Sequence, residues 1–148
     1  MRIAIGSDHA GFELKEALLR WLHDAGHEVI DVGTDTEASC DYPVFGAAVG
    51  RAVARGDAER GVAVCGSGIG ICMAANKIPG IRAAVLRTSE DAELSRRHNN
   101  ANVACFGARI TAVAEAQLAL GVFLATGFDG GRHERRVDLL AELDAEGR

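Results

Sequence analysis

The chemistry of this chain gathers around one thiol. The run Val62-Ala63-Val64-Cys65 is apolar and β-branched, alternate glycines follow at Gly66, Gly68 and Gly70, and the stretch from Ile69 to Ala74-Ala75-Asn76-Lys77 reads as a short helix. Backbone N–H groups at such a helix start converge just past the thiol and make a place to hold a developing negative charge. A free thiol titrates near ~8.5, and N–H dipoles at a helix N-terminus lower that value, so thiolate becomes available near neutral pH. Taken alone, Cys65 reads either as such a base or as a small buried hydrophobe, and the second reading is the one expected of Cys72 and Cys105. The loop is not a nucleotide motif. Gly66 and Gly68 would begin a GxGxxG whose third glycine falls on Ile71, and Gly6 and Gly11 have P-loop spacing but lead into Phe12-Glu13 instead of Lys and a hydroxyl residue.

Polar residues also border the other β-type runs. Ser7-Asp8-His9 follows the first, Asp41-Tyr42-Pro43 leads into the second helix, His98-Asn99 precedes the fifth strand and Gly107-Ala108-Arg109 follows it. Ligands of open parallel sheets bind beyond the carboxyl ends of the strands, so these groups are expected to converge with the thiol loop on one pocket. Each also has an ordinary role open to it. Asp8-His9 can cap the first helix, Tyr42 can be a half-buried aromatic, and His98 can favour a helix C-terminus while the asparagines take the turn. Arg132 and Arg136 are four apart with His133 beside them, which is either a fork able to grip a phosphate or a solvated helix face.

The elements that must position these residues follow from periodicity. Short β-branched runs at about 2–6, 28–32, 61–65, 82–86 and 102–106 alternate with amphipathic ones at about 11–25, 43–55, 69–76, 89–97 and 111–125. This alternation predicts a Rossmann-like three-layer α/β sandwich, with about five parallel strands and helices on both faces. In the first helix Phe12, Leu14, Leu18, Leu19 and Leu22 gather on one side, Glu13, Lys15, Glu16 and Arg20 on the other. Past a hinge at Gly127-Phe128-Asp129-Gly130-Gly131, the tail 132–143 offers Val137, Leu140 and Leu143 as an apolar stripe, predicted to pack on a partner subunit.

At 148 residues, 48% hydrophobic and 25% charged, the chain suits one domain spanning 1–148, its segment 126–148 reaching the partner. A net charge of -5, from 16 basic against 21 acidic residues, argues against a nucleic-acid partner but permits a few arginines focused on a small anion. A strand is expected almost at once, leaving no room for a signal peptide, and the late apolar run 118–125 is too short to span a bilayer. A cytoplasmic protein with no membrane contact is expected. Cys40, Cys65, Cys72 and Cys105 form no CxxC pair, so reduced thiols are expected, with no disulfide and no metal site.

Together, Gly6-Ser7-Asp8-His9-Ala10-Gly11-Phe12, Asp41-Tyr42-Pro43, the loop from Cys65 to Gly70 with Ala74-Ala75-Asn76-Lys77, Ser95-Arg96-Arg97-His98-Asn99, and Gly131-Arg132-His133 with Arg136 resemble type B ribose-5-phosphate isomerases. That group also contains the galactose-6-phosphate isomerase subunits. The resemblance covers nearly the whole chain. It implies interconversion of D-ribose 5-phosphate and D-ribulose 5-phosphate through an enediolate, without metal or organic cofactor. By resemblance Cys65 is the base that moves a proton between C2 and C1, His98 with help from Asp8 opens the furanose ring, and Ser67 relays a proton between the substrate oxygens. Backbone N–H groups of Gly66, Ser67, Gly68, Ile69 and Gly70 would form the hole for the enediolate. Asp8, His9, Tyr42 and Asn99 would line the sugar, and Arg109, Arg132 and Arg136 the phosphate.

In the family the site lies at a dimer interface, with arginines arriving from the partner's C-terminal segment, so a homodimer or dimer of dimers is implied. One branch lacks the cysteine and uses a glutamate near the start of the next helix. Ile71 stands there in this chain, which therefore resembles the cysteine branch, with Ser67 in place of a frequent threonine. Two alternatives stay open at this level. One is the same chemistry on a six-carbon aldose 6-phosphate, such as allose or galactose 6-phosphate. The other is a sugar-phosphate-binding module without turnover, although binding alone needs neither the thiol nor the histidine.

Overall fold

Five strands, β1 (Arg2–Ser7), β2 (Glu28–Asp31), β3 (Arg60–Cys65), β4 (Ala83–Val85) and β5 (Val103–Gly107), pair in the order β2-β1-β3-β5-β4. Every pairing is parallel. The computed structural model describes residues 1–147. Between and after the strands run α1 (Phe12–Asp24), α2 (Tyr42–Ala54), α3 (Ile69–Asn76), α4 (Ser89–Asn99), α5 (Val113–Ala125) and α6 (Arg132–Glu146). The predicted Rossmann-like α/β architecture is the observed one, with element ends shifted by a residue or two.

Handedness decides which helix covers which face. The steps from β1 to β2 and from β4 to β5 run one way across the sheet, those from β2 to β3 and β3 to β4 the other way. Right-handed crossovers therefore place α1 and α4 on one face and α2 and α3 on the opposite one. Side chains follow with period two. Ile3, Ile5, Val62, Val64, Ala104 and Phe106 meet Leu14, Leu18 and Leu22 of α1 and Leu120 and Phe123 of α5. The alternate residues Ala63, Cys65, Val103 and Cys105 meet Val49 of α2 and Ile71, Cys72 and Ala75 of α3.

Lys15 departs from its expected place on the polar side of α1. Its side chain is fully buried, with Nζ donating to Asp31 Oδ2 at 2.8 Å and to the Thr34 carbonyl at 2.7 Å, and Glu16 Oε1 lies 3.2 Å away. Carboxylates and a carbonyl around the ammonium offset the cost of taking it out of water. The effect is to pin the segment after β2, which leads on to Cys40, Asp41 and Tyr42.

The C-terminal helix is held differently. None of its residues is buried, and Leu139, Leu140 and Leu143 are 44%, 44% and 59% exposed. Its contacts with the rest of the chain include Asp144 Oδ2, which accepts the Gly80 N–H at 2.7 Å, and His133, which meets the end of α4. Among the described residues, no helix is long and apolar enough to cross a membrane.

Replacing Lys15 by Met keeps the stem but strands Asp31 and the Thr34 carbonyl. A loss of about 2–4 kcal/mol in unfolding free energy is expected by urea titration, and an unchanged midpoint would show that the ammonium does not anchor the segment.

Candidate active site

The thiol loop is shaped by close contact between main chains. Cys65 ends β3, and its carbonyl accepts the Ala108 N–H at 2.9 Å while the Gly66 carbonyl accepts the Arg109 N–H at 3.0 Å. A Cβ at Gly107 would lie 2.5 Å from the Ser67 carbonyl carbon and oxygen. Gly68 sits at φ 79° with its missing Cβ only 2.8 Å from the Phe106 carbonyl carbon, so both space and conformation demand glycine there. Folded in this way, the loop aims the Gly68 N–H at Cys65 Sγ, 3.2 Å away, and Ser67 Oγ accepts the Ile69 N–H at 3.2 Å. The Gly70 and Ile71 amides of the first turn of α3 keep the open donors of a helix N-terminus.

Around the thiol lies a cleft of about 500 Å³ bounded by Asp8, His9, Tyr42, Cys65, Gly66, Ser67, Ile69, Gly70 and Arg109, with Ala10 and Met73 completing it. Asp8 is 6% exposed, and its Oδ1 accepts the Gly11 N–H at 3.0 Å, a turn-capping contact that leaves Oδ2 without a hydrogen-bond partner among the described residues. His9 Nδ1 accepts the Cys40 N–H at 3.2 Å, so a neutral ring carries its proton on Nε2. The segment pinned by Lys15 thus sets the tautomer of a cleft residue. The Tyr42 ring covers Gly70, where a Cβ would come within 2.7 Å of it. Arg109 lies across Gly66, exposed and with no carboxylate partner among the described residues.

The second group of expected site residues is elsewhere. Helix α4 runs back along the sheet, so His98 and Asn99 in its last turn lie by the amino end of β5, with Asn100 in the left-handed region at φ 47° ending the helix. Cys65 is level with Gly107 and Gly61 with Val103. Along the strands the two groups are therefore about 13 Å apart or more. The expectation of one pocket within one chain is corrected: a residue that precedes a parallel strand sits at the opposite end from one that follows it. His98 instead stacks on His133, ring centroids 4.2 Å apart and planes 12° from parallel. Arg132 and Arg136 begin α6 beside this stack, both exposed.

Three consecutive residues fasten this second group. Arg96 Nε donates to the Thr126 carbonyl at 3.0 Å, Arg97 Nε reaches Asp129 Oδ1 and Oδ2 at 3.2 and 3.1 Å, and His98 meets His133. Burial and the charges of Arg60 and Arg82 push Arg96 down to about 10. Sequence reasoning gave these arginines no role; their value lies in partners some thirty residues away. His98, Asp129 and His133 have donor atoms within 4.8 Å of one another. Asp129 already gives both oxygens to Arg97, and Arg132 and Arg136 add positive charge beside His133, so the trio forms an ion pair next to a ring stack instead of a cation seat.

A family model described as Ribose/Galactose Isomerase matches residues 3–140. The chain belongs to this family. Ribose-5-phosphate isomerase B of Escherichia coli K12 is 41% identical over 143 residues, covering 97% of this chain and 96% of that protein. The Mycolicibacterium paratuberculosis protein of the same name is 45% identical over 147 residues, covering 97% and 92%. Among solved structures, ribose-5-phosphate isomerase B of Clostridium thermocellum superposes with a TM-score of 0.99 at 44% identity over 100% of both chains. The type B enzyme of Trypanosoma brucei gives 0.92 at 41% identity, covering 96% and 97%.

As a member of the ribose/galactose isomerase family, the chain offers no carboxylate at the start of α3, where Ile71 is fully buried in the core. The other thiols differ from Cys65 in their surroundings. Cys105 is fully buried, and its contact with Cys72, together with burial, pushes it well above the ordinary thiol value, while the same contact lowers Cys72. Iodoacetamide is therefore expected to alkylate Cys65 through the cleft, and the half-exposed Cys40, while Cys105 stays unmodified until the protein unfolds. Mass spectrometry of the folded protein checks this, and labelling of Cys105 ahead of Cys65 would contradict the cleft as described.

Proposed function

We propose that the protein interconverts D-ribose 5-phosphate and D-ribulose 5-phosphate as a cytoplasmic aldose–ketose isomerase that works without a cofactor. One observation carries the reading: the Gly68 N–H on the Cys65 sulfur at 3.2 Å, at the floor of a cleft that also holds Asp8, His9, Tyr42 and Arg109. The family and the relatives named above support the five-carbon substrate, and no feature of the cleft favours a six-carbon one. The thiol sets it apart from a binding module, because holding a sugar needs no base.

Cys65, as thiolate, removes the proton on C2 of the open-chain aldose, and the electron pair moves to make the enediolate. Ser67 carries the hydroxyl proton from O2 to O1, and the proton taken from C2 returns from Cys65 to C1, giving the ketose. The Gly70 amide, with the other loop amides from Gly66 to Ile69, holds the negative charge as it develops. Ring opening comes first. His98 donates a proton to the ring oxygen as the C1–O bond breaks, and Asp8 Oδ2 receives the proton from the C1 hydroxyl. Tyr42, His9 and Asn99 bound the sugar, and Arg109, Arg132 and Arg136 hold the phosphate.

Since His98, Asn99, Arg132 and Arg136 lie at the far end of the sheet from Cys65, the complete site takes them from a second copy of the chain. The exposed Leu139, Leu140 and Leu143 on α6, and Val44, Ile69 and Met73 around the cleft at 62%, 43% and 63% exposure, supply apolar surface for that pairing. A homodimer then has two equivalent sites, each built across the interface.

Steady-state turnover of the purified protein on D-ribose 5-phosphate, beside allose 6-phosphate, galactose 6-phosphate and free ribose, tests this reading. Ribose 5-phosphate is expected to give the highest kcat/KM, and Cys65→Ala to lower kcat roughly 10²–10⁴-fold. Turnover of a six-carbon phosphate in preference, or full activity without the thiol, would contradict it. Gly66→Ala brings a Cβ within 2.9 Å of Arg109 Nη1, a flexible side-chain end, and so displaces the phosphate grip without disturbing the fold. KM is expected to rise roughly 10-fold with the thermal midpoint unchanged; an unaltered KM would remove Arg109 from the phosphate site.

A further inference from the structure

His133 touches both the ring-opening residue and the phosphate clamp, and neither the family pattern nor the cleft geometry gives it a task. Its ring lies flat on His98 at 4.2 Å. Its Nε2 faces Arg132 Nε at 3.5 Å, with Arg132 as the donor. An imidazole nitrogen that accepts from a guanidinium carries no proton there, so His133 stands as a neutral ring with Nδ1–H. The bond is long, and what it fixes is direction: Nε turned onto His133 leaves the two terminal nitrogens of Arg132 free as a fork.

We propose that His133 is a positioning residue with two separable parts, a ring face that supports protonated His98 and a ring nitrogen that aims Arg132 at the phosphate. This deepens the reading given above and rests on it. Two imidazolium rings stacked this closely would repel, so one proton belongs to the pair, and the neutral partner offers a π face to the charged one. Charged groups face the pair from every element around it: Arg97 and, bonded to it, Glu93 on α4, Asp129 on the segment before α6, and Arg132 and Arg136 on α6 itself. Partial burial, followed by His98, Arg132 and Arg136, lowers His133 from the usual imidazole value, against a smaller upward pull from Asp129. The ring nitrogen therefore remains an acceptor when His98 takes its proton.

Two substitutions in the full-length protein separate the parts. His133→Phe keeps the ring face and loses the acceptor; His133→Gln keeps a side-chain acceptor and loses the ring. With ribose 5-phosphate, His133→Phe is expected to raise KM, and the inhibition constant for inorganic phosphate, roughly 3–10-fold with kcat within about twofold of wild type. His133→Gln is expected to leave KM close to wild type and lower kcat roughly 2–5-fold, because His98 has lost the ring face that supports it. Thermal melting of both variants records that the fold is kept, His133 lying half-buried in the first turn of α6. Both variants altering the same parameter, or neither altering any, would overturn the two-part role while wild-type turnover leaves the isomerase reading standing. Absence of turnover and of phosphate inhibition in the wild type would overturn both.

Discussion

Main chain meets main chain at the carboxyl ends of β3 and β5, and the cleft depends on that contact. No Cβ fits at Gly107 against Ser67, or at Gly68 against Phe106, and the carbonyls of Cys65 and Gly66 bind the amides of Ala108 and Arg109. The loop has one way to lie. From it follow the Gly68 amide on the thiol, the start of α3 behind it and Arg109 across its top. A side chain at Gly68 or Gly107 would lift the loop off the sheet and turn the donors away from the sulfur, which is how a contact without chemistry of its own governs the chemistry beside it.

The second consequence is a division of labour between the two ends of the sheet. Helices in a parallel α/β fold run back against the strands, so what ends a helix lies opposite to what ends a strand. Cys65 ends β3 and His98 lies in the last turn of α4. The two meet, in the proposed enzyme, only when a second copy brings its own α4 end and α6 to the cleft. Arg96, Arg97 and His98 prepare that half in advance by gripping Thr126, Asp129 and His133 in turn. In the proposed dimer, the apolar helix surface exposed in one chain and the open cleft of the same chain are two sides of one arrangement.

Much of this was legible in the sequence, for identifiable reasons. The alternation of apolar runs specified the parallel sheet, because strands covered on both faces, such as Ile3 to Gly6 and Gly61 to Cys65, carry almost no polar interruption. The core positions of Leu14, Leu18 and Leu22 follow from helical spacing, and Cys105 in the core from period two beside Ala63. Helix periodicity puts Lys15 on the polar side of α1, whereas its burial depends on Asp31 and the Thr34 carbonyl, which periodicity cannot see. Being next to a strand does not say which end of the sheet His98 occupies; the direction of α4 does, and it puts His98 by the amino end of β5. The stack with His133 depends on the path from Thr126 to Gly131, a glycine-rich segment without regular secondary structure that Arg96 and Arg97 hold in place.

The claim with the most at stake is that each site is shared between two chains, and mixing two inactive variants tests it directly. Cys65→Ala and His98→Asn are each expected to be inactive alone. Unfolded together and refolded in equal amounts, they form mixed dimers in which one site receives Cys65 from one chain and His98 from the other. Random re-pairing is expected to restore about a quarter of wild-type turnover on ribose 5-phosphate. A mixture as inactive as its parents, with dimers re-formed, would contradict a site built from two copies.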